Sequence, residues 1–307
     1  MNIFITGVGG YIGGSVASAL LASGHGVRGL VRTAANAERL AAYGIEPVLG
    51  TLDDAELLAR EAQMSDGVIN TASADHAGAV DALITALEGS NKPLLHTSGS
   101  SVIGDDARGS RMSEQIFDEA TALVVNPAKQ PRREVDLQVL GAATRGVRSA
   151  VICPSLIYGA GKGLNPHSVQ VPFLAANARE RGLVQIVGSG LNVWSNVHID
   201  DVADLYLLAL TKAPAGAFYF AENGEASFGE VAAAVANRLG LSGVESLPPE
   251  VAAQRWGEPK AYFSLGSNSR VRSVRARSEL GWTPRRTSVI DWILGEMPVG
   301  ETPASPS

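Results

Sequence analysis

The sequence predicts an α/β fold: a doubly wound parallel sheet with a smaller C-terminal lobe. Three observations point to it. Through the first half of the 307-residue chain, short apolar runs alternate with amphipathic ones, as strands buried on both faces do with the helices between them. A glycine-rich turn, "FITGVGGYIGG", leads straight from the first apolar run into the first amphipathic one. After Cys153 the alternation gives way to a Gly/Pro-rich loop, "PSLIYGAGKGLNP", and a long loop of that kind often carries function.

Strands are expected at Ile3–Thr6, Val27–Val31, Pro47–Leu49, Val68–Asn70, Leu94–Thr97 and Ala150–Cys153. Each is short, nearly all apolar and bounded by turn residues. Helices are expected between them. Tyr11–Ser23 stops at Gly24 and Ala35–Tyr43 at Gly44, since glycine readily takes the left-handed conformation that ends a helix. Asp53 or Asp54 can cap Ala55–Ala62. Val80–Leu87 runs into "EGSN", and Glu134–Thr144 ends at Gly146. Parallel strands joined this way are connected right-handedly. Further on, a helix is expected over Val169–Arg181, a strand over Leu183–Val187 and another at "GAFYFAE". In "SFGEVAAAVANRLG", Ser227 and Glu230 form a capping box at a helix start. A last helix falls near Ser288–Leu294.

Composition narrows the partners. A hydrophobic fraction of 45% supports a sizeable core, and a net charge of −6 argues against nucleic acid as the main partner. No run reaches the ~18 apolar residues of a membrane span. One cysteine, Cys153, leaves no intrachain disulfide and fits a reducing, cytoplasmic setting as a core thiol. The start "MNIFITG" lacks a signal peptide's basic region. The tail "GETPASPS" is polar and expected to fray. Oligomeric state is left open.

The glycine-rich turn carries the first chemistry. Gly7 makes the tight turn, Gly10 lets backbone approach a pyrophosphate, and Gly13 lets the helix pack on the sheet. Phosphates then meet the free N–H groups and positive dipole of a helix start. Strand before and helix after make this the fingerprint of a Rossmann-type dinucleotide site. The second strand ends "GLVRT", with Arg32 where an NAD-binding chain carries a carboxylate. An arginine there accommodates a 2′-phosphate, so NADP(H) is the expected cofactor and NAD(H) the alternative. Residues 1–155 plus about 195–222 are expected to form the dinucleotide-binding domain. Residues 156–194 plus 223–307 are expected to form the substrate lobe.

Five segments in order give the chain a family likeness: "TGVGGYIGG", "HTSGSSVIGD", "VICPSLIYGAG", "NVHIDDVADLYLLAL" and "LGWTPR". With them it resembles the extended or atypical short-chain dehydrogenase/reductases grouped as NAD-dependent epimerase/dehydratase proteins. The resemblance implies cofactor contacts in the first turn from Thr6, Gly7, Gly10, Tyr11, Ile12 and Gly13. It implies others from Thr51 and Leu52 after the third strand, and from Thr71, Ala72 and Ser73 after the fourth. Thr97 and Ser98, Arg132, and the loop Pro154, Ser155 and Leu156 complete the set. Thr51 stands where the family usually has an aspartate for the adenine.

The family's catalytic Tyr-x-x-x-Lys is absent. Counting along "NPAKQPRREVD" places Ala128 on the tyrosine, Arg132 on the lysine and Asp136 on a usual acidic position. Counting along "HTSGSSVIGD" places Gly99 on the family's Ser/Thr. Arg132 or Lys129 can hold the cofactor ribose in the lysine's stead. Proton transfer then falls to Ser100, Ser101, Tyr158 or a held water. Tyr158 has a competing reading as a packed aromatic, and Asp75–His76 reads as a surface helix start. His198, Asp200 and Asp201 read as a strand end and helix cap, and no metal is expected.

The expected function is hydride transfer to or from a small carbonyl or alcohol substrate. The alternative is a non-catalytic NADP(H)-binding redox sensor or partner-binding module. A sugar-nucleotide epimerase is disfavoured, because Arg270 and Arg272 in "SRVRS" are the only basic candidates for a diphosphate.

Overall fold

The computed structural model describes residues 1–300. Apart from Gly300, the tail expected to fray lies outside the described residues.

The chain begins β1 (Asn2–Thr6), α1 (Tyr11–Ala22), β2 (Gly26–Val31), α2 (Ala34–Ala42), β3 (Glu46–Leu49) and α3 (Ala55–Met64). It continues β4 (Gly67–Asn70), α4 (Ala77–Leu87), β5 (Pro93–Thr97), α5 (Gln130–Gly141) and β6 (Arg148–Pro154). Then come β7 (Leu156–Tyr158), α6 (Gln170–Arg181), β8 (Val184–Val187), β9 (Val193–His198) and α7 (Ile199–Lys212). The last elements are β10 (Ala217–Ala221), β11 (Glu225–Ser227), α8 (Phe228–Leu239), β12 (Val244–Leu247), α9 (Pro249–Trp256), α10 (Val274–Leu280) and α11 (Val289–Gly295).

Seven parallel strands make the central sheet, in the order β10-β6-β5-β4-β1-β2-β3. The order reverses between β1 and β4. The connections that follow β1 and β4 diverge there, and it is at such a point that sheets of this kind take ligands. The two-residue period of β1 sends Ile3 and Ile5 to one face and Phe4 to the other. Ile3 and Ile5 meet Val16, Leu20 and the α7 residues Leu205, Tyr206 and Leu210. Phe4 meets Val68, Leu83, Leu94, Val139 and Phe220. Each such side chain contributes roughly 1.5–3 kcal/mol on leaving water.

Beyond the sheet lie a three-stranded sheet, β11-β9-β7, and the pair β12-β8. A separate apolar cluster joins α6, β8, α8 and α11 through Leu174, Ile186, Val231 and Ile293. Part of the expected Gly/Pro loop is strand instead: Leu156–Tyr158 pairs with Asn196–His198, and that pairing satisfies backbone groups buried beneath the lobe. Ala276, Leu280 and Trp282 pack on the sheet side with α7 rather than with that lobe cluster. The Asp201 carboxylate accepts from the backbone N–H of Arg285 at 2.9 Å and of Arg286 at 3.0 Å, and Trp282 Nε1 donates to its carbonyl. These bonds tie "NVHIDDVA" to "LGWTPR". Among the described residues, no helix is long and apolar enough to cross a membrane.

Local capping follows the side chains. Asp54 caps α3 and Ser227 with Glu230 caps α8. Helix α5 starts at Gln130, earlier than Glu134, because Pro131 fits a first helical turn and Asn126 caps the short 3-10 turn leading in.

Candidate active site

The carboxyl edge of the sheet assembles the candidate site. At the first turn Gly7 has φ +74°, and a Cβ there would lie 2.6 Å from the Ala72 backbone. A Cβ on Gly13 would strike the Gly7 carbonyl oxygen. Gly10 N–H donates to that oxygen at 2.9 Å. No side chain caps α1, and its first turn holds no carboxylate. The N-terminal amides of α1 are thus left for an anion, so the residues present fit a dinucleotide pyrophosphate.

Around this turn the expected contacts divide. Thr6 hydroxyl donates to Asn70, and Thr71 Oγ1 donates to the Thr6 carbonyl at 2.7 Å, which fixes the ends of β1 and β4 side by side. Tyr11 is buried and donates to the Gly159 carbonyl at 2.9 Å, so its ring supports the loop after β7. Ile12 packs against the core. Arg32 is exposed at the end of β2, beside Thr33, which caps α2. Thr51 is exposed and accepts from Asp53 N–H at 3.2 Å, while Leu52 leans on the core.

The loop after β4 runs from this cradle toward the start of α5. Ala72 backs Gly7. Ser73 Oγ accepts from Asp75 N–H at 3.2 Å. Asp75 then takes two hydrogen bonds from Arg132, at 2.8 Å from Nε and 2.7 Å from Nη2. That guanidinium holds the Asp75 carboxyl below its ordinary range, and Asp75 raises Arg132 in return. Next in the chain, His76 caps α4 and reaches Asp53 at 3.1 Å.

The end of β5 lies opposite. Arg132 Nη1 donates to Ser101 Oγ at 3.2 Å and faces Gly99. Ser98 Oγ donates to Asp136 Oδ2 at 3.0 Å. Asp136 is fully buried, and burial pushes its carboxyl up to about 6. His96 is fully buried too and falls to about 4 because burial disfavours its charge. Thr97 shares a hydrogen bond with the buried Tyr206.

The three proton-transfer candidates therefore separate. Ser101 lies under Arg132. Ser100 is buried and accepts from Ser269 Oγ at 2.7 Å, which turns it into the junction with the C-terminal segment. Tyr158 is 1% exposed, packed against His198 and Trp292, and burial raises its phenol. Of the β6 loop, Pro154 closes the strand beside Ala221, Ser155 Oγ donates to the Ala221 carbonyl at 3.0 Å, and Leu156 is buried in β7. His198 caps α7, and Asp200 pairs with Lys162 at 3.1 Å. The Asp75–Arg132 pair has no sequence signal, because its halves are 57 residues apart.

Comparison with known proteins gives a consistent likeness. The model of the NAD dependent epimerase/dehydratase family matches residues 3–219. The Oxidase ucsJ of an Acremonium species is 34% identical, over 92% of each chain. The 4-hydroxy-2-methyl-3-oxo-4-farnesyl-3,4-dihydroquinoline-1-oxide ketoreductase of Stigmatella aurantiaca is 29% identical, over 94% of this chain and 93% of that one. Among solved structures, the dTDP-glucose 4,6-dehydratase of Streptomyces venezuelae with NAD and TYD bound superposes with a TM-score of 0.77. It is 22% identical, over 96% of this chain and 95% of that one.

Proposed function

The chain belongs to the NAD dependent epimerase/dehydratase family, and on that premise we propose that it is an NADP(H)-dependent oxidoreductase acting on a small carbonyl or alcohol. One observation carries the reading. The loop Thr71–Asp75 backs the glycine turn at one end and grips Arg132 at the other, joining a pyrophosphate cradle to a polar cleft wall.

Thr6, Gly7, Gly10 and Gly13 would shape the pyrophosphate cradle, with Thr71, Ala72 and Ser73 behind it. Arg32 would pair with a 2′-phosphate. Ser101 would hydrogen-bond the substrate oxygen, and Arg132 would hold Ser101 and the ribose side of the cleft. A bound nicotinamide supplies the hydride, while the protein orients the substrate and excludes water.

A sugar-nucleotide substrate finds less support. Arg270 gives Glu225 two hydrogen bonds, at 3.2 and 2.8 Å, and Arg272 adds a third at 3.0 Å. Both candidate diphosphate ligands are thus already engaged. The ketoreductase relative favours carbonyl reduction.

The test is NADPH oxidation, followed by absorbance, against a panel of aldehydes and ketones. Turnover of at least one carbonyl above background is expected. NADPH binding with no turnover would instead favour a non-catalytic redox sensor, a reading that the burial of Ser100 and Tyr158 supports.

A further inference from the structure

We propose that the loop between β7 and α6 covers the cofactor's diphosphate, seated on Gly9 and Gly14 of the first turn and helix, with Leu164 as its contact. The proposal rests on the dinucleotide-binding reading above and extends that site into the lobe.

Two glycines of the turn are left over from the dinucleotide fingerprint. In "TGVGGYIGG", Gly7, Gly10 and Gly13 serve the tight turn, the pyrophosphate approach and the packing of α1. Gly9 and Gly14 serve none of these, and both face one distant segment. A Cβ on Gly14 would lie 2.5 Å from the Lys162 carbonyl oxygen and 3.3 Å from the Gly163 Cα. A Cβ on Gly9 would meet Leu164 Cδ1 at 3.6 Å. Position 14 thus takes a glycine because the backbone of the β7–α6 loop runs against α1 there.

Polar contacts fasten the same loop. The Tyr11 hydroxyl donates to the Gly159 carbonyl at 2.9 Å, and the Lys162 N–H donates to Ser15 Oγ at 3.0 Å. Ser15 Oγ in turn donates to the Tyr11 carbonyl at 2.8 Å. Within the loop, the Gly161 N–H donates to the Pro166 carbonyl at 2.9 Å and closes its tip. Leu164 packs against the core cluster that holds Tyr11 and Val16. The loop therefore stands on the first two turns of α1 through backbone, hydroxyl and apolar contacts together.

That position defines its task. The amides left for an anion are those at the start of α1, which begins at Tyr11, two residues after Gly9. Leu164 thus borders the anion's seat from the lobe side. An apolar cover there keeps water away, and a helix dipole holds a charge more strongly in a drier site. The charge balance agrees. Asp200 acts on Tyr11 through its negative charge and would repel a diphosphate at the same helix start. The Lys162 ammonium of the loop pairs with Asp200 at 3.1 Å and offsets that repulsion.

The test compares two ligands on the full chain by calorimetric titration: NADPH, and adenosine 2′-monophosphate, which carries the adenine end without the diphosphate. Leu164→Ala should raise the NADPH Kd roughly tenfold and leave that of adenosine 2′-monophosphate within about twofold of wild type. Gly14→Ala, which pushes the loop off its seat, should weaken NADPH at least as much. If Gly14→Ala fails to fold, Leu164→Ala still decides. Hydrogen exchange read by mass spectrometry gives a second measurement: NADPH should slow exchange across residues 159–168 of the wild type, and less so in Leu164→Ala. An unchanged NADPH Kd in Leu164→Ala, or exchange in that loop indifferent to NADPH, would overturn the proposal. Equal weakening of both ligands would also overturn it, because the loss would then lie in the fold and not at the diphosphate. A wild type that binds neither NADPH nor NADH would overturn the dinucleotide reading, and this proposal with it. That result is distinct from the cover failing alone, where wild type and Leu164→Ala bind NADPH alike.

Discussion

Arg132 holds both oxygens of Asp75 with one edge of its guanidinium, at 2.8 Å from Nε and 2.7 Å from Nη2. The pair bridges the loop after β4 and the start of α5, and its third arm reaches Ser101. A planar fork matched to a carboxylate fixes orientation as well as charge. The loop after β4 and the start of α5 are therefore held in one relative orientation.

Asp75→Asn breaks that grip. Arg132 depresses the Asp75 pKa, so the pair's contribution is complete above the ordinary carboxylate value of ~3.9 and is lost as pH falls through the depressed one. Asp75 is 57% exposed, so solvent limits the pair to ~1 kcal/mol or less. Urea unfolding should show that loss at pH 7 and a progressively smaller one as pH falls below ~3.9. A loss that does not shrink as pH falls would contradict the assignment.

Gly7→Ala should damage both fold and cofactor site. The position has φ +74°, and an added Cβ would meet the Ala72 backbone at 2.6 Å. Backbone strain alone costs ~1–3 kcal/mol. We expect destabilisation of at least ~2 kcal/mol with the clash included, and NADPH affinity down by tenfold or more. Retention of both would show that the turn tolerates a side chain.

Asp136→Asn removes a buried charge while leaving an oxygen for the Ser98 hydroxyl. Burial raises the Asp136 pKa from 3.8 to about 6. The unfolded chain then loses its proton first as pH rises, so the wild type loses stability between about pH 4 and pH 6. The raised value corresponds to at most ~3 kcal/mol, and Arg133 Nη1 at 3.8 Å offsets part of the charge burial. Urea midpoints at pH 4 and pH 7 should move in the variant's favour at the higher pH. A difference independent of pH would remove Asp136 as the titrating group.

The sheet was legible because its strands are nearly all apolar, as with Val68–Asn70 and Leu94–Thr97, and its helices end at Gly24, Gly44 and Gly146. The lobe was less so. In β9 the polar Ser195 and Asn196 are buried, so the strand shows no apolar run; Ser195 Oγ donates to the distant Val271 carbonyl, and the backbone N–H of Asn196 donates to the Gly224 carbonyl. At the site, the glycine turn, Arg32 and Arg132 stand out by residue type and spacing. Tyr158 already carried a competing reading as a packed aromatic, which its contact with Trp292 fits, whereas the enclosure of Ser100 against Ser269 appears only in the tertiary packing. Asp75 gained its role from a partner 57 residues away, which no local pattern encodes.

Cofactor choice tests the central claim most directly. Dissociation constants for NADPH and NADH are to be measured by titration on wild type and Arg32→Ala. We expect wild type to bind NADPH at least about tenfold more tightly, the preference a single charged pair of ~1.4 kcal/mol gives, and Arg32→Ala to lose it. Tighter binding of NADH by the wild type, or binding of neither, would contradict an NADP(H)-dependent enzyme.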